Sequence, residues 1–126
     1  DLDALHALLE ARQAMPFAYG PNDCATFAGA CVEAQTGRNP VSGFGKWSNE
    51  TGAAKAVKKA GGLTKAVSSV LTKVQTAMAQ RGDVALVKHD GAEALMIVEG
   101  DMLVGPDENG LRRLPRAVMT RAWSAE

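Results

Sequence analysis

Tyr19-Gly20-Pro21-Asn22-Asp23-Cys24-Ala25-Thr26-Phe27 is the stretch on which the reading of this chain turns. Gly20-Pro21-Asn22 is a turn. Asn22 or Asp23 is a good helix cap, because a short side-chain oxygen can accept from the unpaired N–H groups of a first turn. A helix therefore starts near Cys24 and runs to about Gln35, with Cys24, Phe27, Ala28 and Cys31 on one stripe. Thr36-Gly37 closes it, glycine being the usual residue in a left-handed helix end. The consequence is a thiol in the first turn of a helix. There the free N–H groups and the positive end of the helix dipole favour a thiolate, the form a cysteine nucleophile needs. The other role open to Cys24 is that of a small buried hydrophobe. Cys31, deeper on the stripe, is core.

Before this stretch, Leu2–Gln13 reads as an amphipathic helix capped by Asp1 or Asp3, with Leu2, Leu5 and Leu9 on one face, and Met15-Pro16 ends it. After it, residues 38–52 are rich in Gly, Asn, Ser and Pro and read as a loop pinned by Phe44 and Trp47. Thr51 is positioned to cap a short helix, Ala53–Ala60, which stops at Gly61-Gly62. Leu63-Thr64 opens another, with Val67, Val70 and Leu71 inward. Neither is long enough to persist without packing. The character changes at Arg81-Gly82-Asp83. Val84–Val87 and Ala92–Val98 are apolar runs joined by His89-Asp90-Gly91, and Asp-Gly between two such runs is a strong hairpin signal. Met102–Val104 and Leu111–Leu114 are further short strands around a turn at Gly105–Gly110. Pro115–Met119 is one helical turn and Arg121–Trp123 a last strand. Helices come first and an antiparallel sheet of four to six strands second, which predicts an α+β domain spanning 1–126.

Composition narrows the function. The chain has 126 residues, 14 basic against 14 acidic, 46% hydrophobic and 22% charged. That is one ordinary globular domain, long enough to bury a core. With no net charge it lacks the electrostatic signature of nucleic-acid or anionic-membrane binding. No apolar run approaches the roughly 18–20 residues that span a bilayer. It begins at Asp1 and not Met, so removal of a leading segment is an expectation. Cys24 and Cys31, two helical turns or about 10 Å apart, exceed the roughly 7 Å reach of a disulfide. There is no CxxC, HExxH or His-x-His, so neither a metal nor another cofactor is expected. Only two histidines are present.

An aromatic-Gly-x-x-Asp-Cys at a helix start, a Gly-Asp opening a hydrophobic strand, and a second strand ending in Gly follow one another here as Tyr19, Gly20, Asp23 and Cys24, then Gly82-Asp83, then Ala94–Gly100. In this order the chain resembles the NlpC-type peptidoglycan peptidases, papain-like α+β proteins in which a cysteine begins a helix packed on a small antiparallel sheet. More closely, it resembles a phage and prophage offshoot of that family with no assigned function. The pattern carrying this is Asn22-Asp23-Cys24-Ala25, Thr36-Gly37, Ala60-Gly61-Gly62, Arg81-Gly82-Asp83-Val84-Ala85-Leu86-Val87, Ala94-Leu95-x-Ile97-Val98-x-Gly100 and Arg121-Ala122-Trp123. The resemblance implies a papain-like, NlpC-type domain with N-terminal helices packed on a small C-terminal sheet. It also implies that Cys24, Asp23 and Tyr19 stand at the site.

It departs from the family at the base. Where a peptidase of the family reads His-Val-Gly-Ile-Tyr, this chain reads Ala94-Leu95-Met96-Ile97-Val98. The position of the general base is Ala94, and Met96 replaces a glycine. Met102-Leu103-Val104 offers no polar residue to orient a base. His89, five residues before Ala94, lies about 16 Å away along a strand, far outside hydrogen-bond reach, and reads as an exposed turn residue. His6 sits on the first helix. A thiol without an imidazole lacks both an activating base and an acid for the leaving amine.

The expectation is therefore a non-catalytic component of a phage or prophage tail, at the tip or baseplate, made in the bacterial cytoplasm and carried in the virion with other tail proteins as partners. A peptidase or amidase acting on peptidoglycan during infection or lysis is the alternative, and an assembly factor that leaves the particle a third. Phe44 and Trp47 in their loop, and Arg112 and Arg113 with Arg116 and Arg121, are candidate partner contacts. Trp123 is either core or an anchor in a neighbour. Lys55, Lys58, Lys59 and Lys65 form a local basic patch, a solvated face or a site for an acidic partner. Arg81-Gly82-Asp83 reads as the start of a buried strand rather than an adhesion tripeptide.

Overall fold

The computed structural model describes residues 1–126. Helix α1 is Leu2–Arg12, capped by the Asp1 carboxylate, which accepts from the Asp3 amide at 2.9 Å. Leu5 and Leu9 are buried one turn apart, but Leu2, expected on the same face, is exposed. It lies in the first turn of the helix, next to the Asp1 cap. The next helix, α2, is Cys24–Thr36, ended by Gly37 at φ 83°. Its stripe of Phe27, Ala28, Cys31 and Val32 is buried against the sheet.

A 3-10 turn at Ser42–Phe44 interrupts the loop that follows. Helix α3 is Glu50–Lys59, capped by Asn49 rather than Thr51, because the Asn49 side chain reaches the Gly52 amide at 2.8 Å. Helix α4 is Leu63–Ser68. Its Val67 points inward as the pattern predicts, whereas Val70, just past its end, is largely exposed.

Six strands form one antiparallel sheet in the order β1-β6-β2-β3-β4-β5, with β1 Thr72–Val74, β2 Val84–His89, β3 Ala92–Val98, β4 Met102–Asp107, β5 Gly110–Pro115 and β6 Arg121–Ser124. The protein is thus α+β, with its helices preceding its sheet. The β2–β3 hairpin turns on Asp90 (φ 51°) and Gly91 (φ 80°), the left-handed pair that matches strand twist. Both faces of the central strands are covered, which is why their sequences read as continuous apolar runs. Val84, Leu86, Leu95, Ile97 and Trp123 pack under α1 and α2. Ala85, Val87, Met96, Val98 and Leu103 face the other way, closed over by Ala79 and Met119 beside two 3-10 turns. Arg116 holds those turns together, donating to the carbonyls of Thr76, Ala79 and Gly100. Asp83 opens β2 from a buried position, accepting from the Gln80 and Ala125 amides, so the Arg81-Gly82-Asp83 tripeptide is a strand start.

Candidate functional site

The loop before α2 is built from its own polar groups. Asn22 is fully buried. Its amide donates to the Met15 and Pro16 carbonyls and its oxygen accepts from Arg12 at 2.8 Å. Asp23 is the cap of α2 in a capping box: its Oδ1 accepts from the Thr26 amide, and the Thr26 hydroxyl accepts from the Asp23 amide, both at 2.9 Å. The other carboxylate oxygen accepts from the Gly20 amide at 2.8 Å and from the Trp47 indole at 2.7 Å. Gly20 is required here twice over. Its φ is 98°, and a Cβ would stand 2.6 Å from the Trp47 carbonyl oxygen. Both carboxylate oxygens of Asp23 are therefore engaged in holding the loop. Tyr19 stacks edge-on against Phe17 at 4.9 Å and donates its hydroxyl to Glu50 at 3.3 Å.

Cys24 opens α2 as the motif predicts and is half-buried. Its ionisation runs against the expectation. Burial raises the thiol above its ordinary value, with the Asp23 carboxylate adding to the rise, while the amides of Leu95, Ala25 and Cys24 itself oppose it. The helix N-terminus is present, but desolvation outweighs it. The thiol is thus neutral at physiological pH.

The sulfur meets the Leu95 amide because the sheet splits beside it. Strands β3 and β4 pair only at Ile97↔Val104 and Val98↔Leu103. Continued in that register, Leu95 would face Pro106, which has no N–H to give. That leaves the Leu95 carbonyl without its ladder donor; the pairing stops there, and the Leu95 amide points at Cys24 instead. The Phe17 amide takes the Asp107 carbonyl at 2.8 Å and wedges the opening. The result is a groove of about 640 Å³ running from Tyr19 and Cys24 past Ala94 to Arg112, with Trp47 and α3 as its other wall. Pro106→Val restores the missing donor. The expected outcome is a longer β3–β4 ladder, seen as slowed amide exchange around residue 106, and a Cys24 that alkylates more slowly as the groove narrows.

No imidazole is bonded to the thiol. Ala94 lines the groove with a methyl group, and Met96 beneath it is buried and packs against Gly105. His6 pairs with Glu10 on exposed α1 at 3.1 Å. His89 corrects the sequence reading in part: it ends β2 rather than sitting in the turn, lines the groove, and pairs with Asp90 at 3.3 Å. No group of His, Cys, Asp or Glu side chains converges to hold a metal.

The candidate contact residues are dispersed. Trp123 is core: it is fully buried and its indole donates to Ser68 at 3.0 Å. Phe44 and Trp47 are half-buried and turn inward to line a wholly apolar recess of about 50 Å³ between α2, α3 and α4. Arg113 forms a bidentate pair with Glu99, and Arg112 stands 3.8 Å from Asp107. Trp47, expected as a partner contact, instead bonds Asp23, and Glu50 carries no sequence signal at all; both lie far along the chain from the Asp23 and Tyr19 they meet.

Burial also pushes the Cys31 thiol up, to about 12. Both cysteines therefore favour the folded state while neutral. That stabilisation is complete below the unfolded thiol value of about 8.5 and is lost as pH rises toward the folded one. The urea midpoint is expected to fall between pH 8.5 and 11, with a shallower fall in Cys31→Ala.

A family model described as "Domain of unknown function (DUF6950)" matches residues 2–125. No curated protein and no solved structure matches the chain. No helix is long and apolar enough to cross a membrane.

Proposed function

The chain belongs to the DUF6950 family, a domain of unknown function, and from that premise we propose a non-catalytic structural role in a bacteriophage or prophage tail, at the tip or baseplate, on a degenerate papain-like, NlpC-type scaffold. One observation carries the non-catalytic part. Cys24 opens a helix and faces a groove, yet the strand across that groove presents Ala94, and the thiol is held neutral by burial. The tail assignment rests on the resemblance to a phage-borne family. A scaffold kept for packing after its chemistry is lost is consistent with function residing in sites rather than folds. Partners in this reading are other tail proteins. Mass spectrometry of purified particles tests it: the protein is expected in stoichiometric amounts. Absence from particles whose tails fail to form without it points to the assembly-factor reading instead.

A peptidase or amidase is the second reading, favoured by one fact: His89 lines the same groove as Cys24. Incubation with muropeptides separates the two. Cleavage that disappears in Cys24→Ala overturns the non-catalytic reading, and no cleavage sustains it.

A further inference from the structure

We propose that residues 46–61, α3 and the approach to it, form a hinged lid over the Cys24 groove, latched shut by the residues that precede the thiol. The segment is bounded by Gly45 (φ 86°) and Gly62 (φ 110°), and at both positions nothing stands within 4 Å of where a Cβ would be. Both are backbone conformations that side chains resist, so glycine marks each end of the segment; Gly45 is the looser end, and Gly62 is tied through its N–H to Val57 and through its carbonyl to Ala66. Between them, α3 buries no residue, unlike α1, α2 and α4. Its inner face, with Ala56 and Val57, lies over the 50 Å³ apolar recess rather than filling it. A helix of ten residues is marginal without packing, so what keeps α3 down is a small number of contacts.

Two of these are hydrogen bonds from or to the thiol loop. The Trp47 indole donates to Asp23 at 2.7 Å, and Tyr19 donates to Glu50 at 3.3 Å. Trp47 walls both the recess and the groove. When the latch releases and α3 lifts, the indole withdraws with it. The two spaces then become one, open at Cys24. Weakly packed elements open well below the free energy of global unfolding, and a latch of about two net hydrogen bonds, each modest in worth, sets the population. The lid holds whether or not the domain serves in a tail.

Native-state amide exchange on the intact chain tests it, with iodoacetamide labelling of Cys24 at fixed pH as a second measure. The α3 amides are expected to exchange at least about 100-fold faster than those of Phe27–Val32, with little denaturant dependence. Trp47→Phe keeps the ring and removes the donor. It is expected to speed both α3 exchange and Cys24 labelling about tenfold while α2 exchange holds. Tyr19→Phe is the gentler variant, with the same direction and a smaller effect. Exchange of α3 and α2 at one rate with one denaturant dependence overturns the lid. So does a latch variant that changes both helices equally.

Discussion

Trp123→Ala is expected to lower the melting temperature by about 10–20 °C, measured by circular dichroism. Trp123 sits on β6 between its partners Val84 on β2 and Lys73 on β1, so it lies where three strands and the helical layer meet. It is fully buried in the helix-side core and bonded to Ser68. Truncating a buried tryptophan costs about 3–5 kcal/mol through lost transfer energy and the cavity left behind. The deletion also leaves the Ser68 hydroxyl without its donor. A domain of this size has about 5–15 kcal/mol in total, so the variant approaches the unfolding threshold. Trp123→Phe fills most of the volume, so it loses the indole bond, about 1 kcal/mol, and a smaller share of the packing, and is expected to fall between the parent and Trp123→Ala. A Trp123→Ala protein that melts within two or three degrees of the parent, roughly 1 kcal/mol, contradicts this account of the core.

Asp23→Ala is the second large effect, and it separates a structural aspartate from a chemical one. The carboxylate accepts from the Gly20 and Thr26 amides and the Trp47 indole. Removing a helix cap costs about 1 kcal/mol, and half-buried donors left unpaired add about 1–3 kcal/mol more. A loss of roughly 3 kcal/mol in urea denaturation is expected, with α3 loosened and Cys24 labelled faster. Asp23→Asn keeps one acceptor oxygen and should recover part of the loss. Were Asp23 a chemical group only, Asp23→Ala would fold as stably as the parent.

What the sequence reveals of this fold follows from how local each signal is. Helix α2 is legible at both ends because Asp23, Thr26 and Gly37 act within three or four residues of themselves. The β2–β3 hairpin is legible because Asp90-Gly91 sets its own turn. Strand β1 was not foreseen. Thr72–Val74 has three residues and no alternation, and becomes a strand only by pairing with β6, some fifty residues later. Leu2 and Val70 carry the right periodicity, but each lies at a helix end and is exposed. At the site, the position of the thiol at the start of α2 is local, set by Asp23 and Thr26 beside it. Its ionisation is not local. It depends on how much of the chain closes over Cys24, and burial reverses the sign expected from the helix dipole alone.

Pro106 has a consequence for how such a site can change over time. The opening between β3 and β4 begins where a ring replaces a backbone N–H, and position 94 lies outside the paired residues of those two strands. Cleft and chemistry are therefore set by different residues that can be inherited separately. A substitution at Ala94 can remove or supply a base without closing the groove, while a change at Pro106 can close it with every polar group intact.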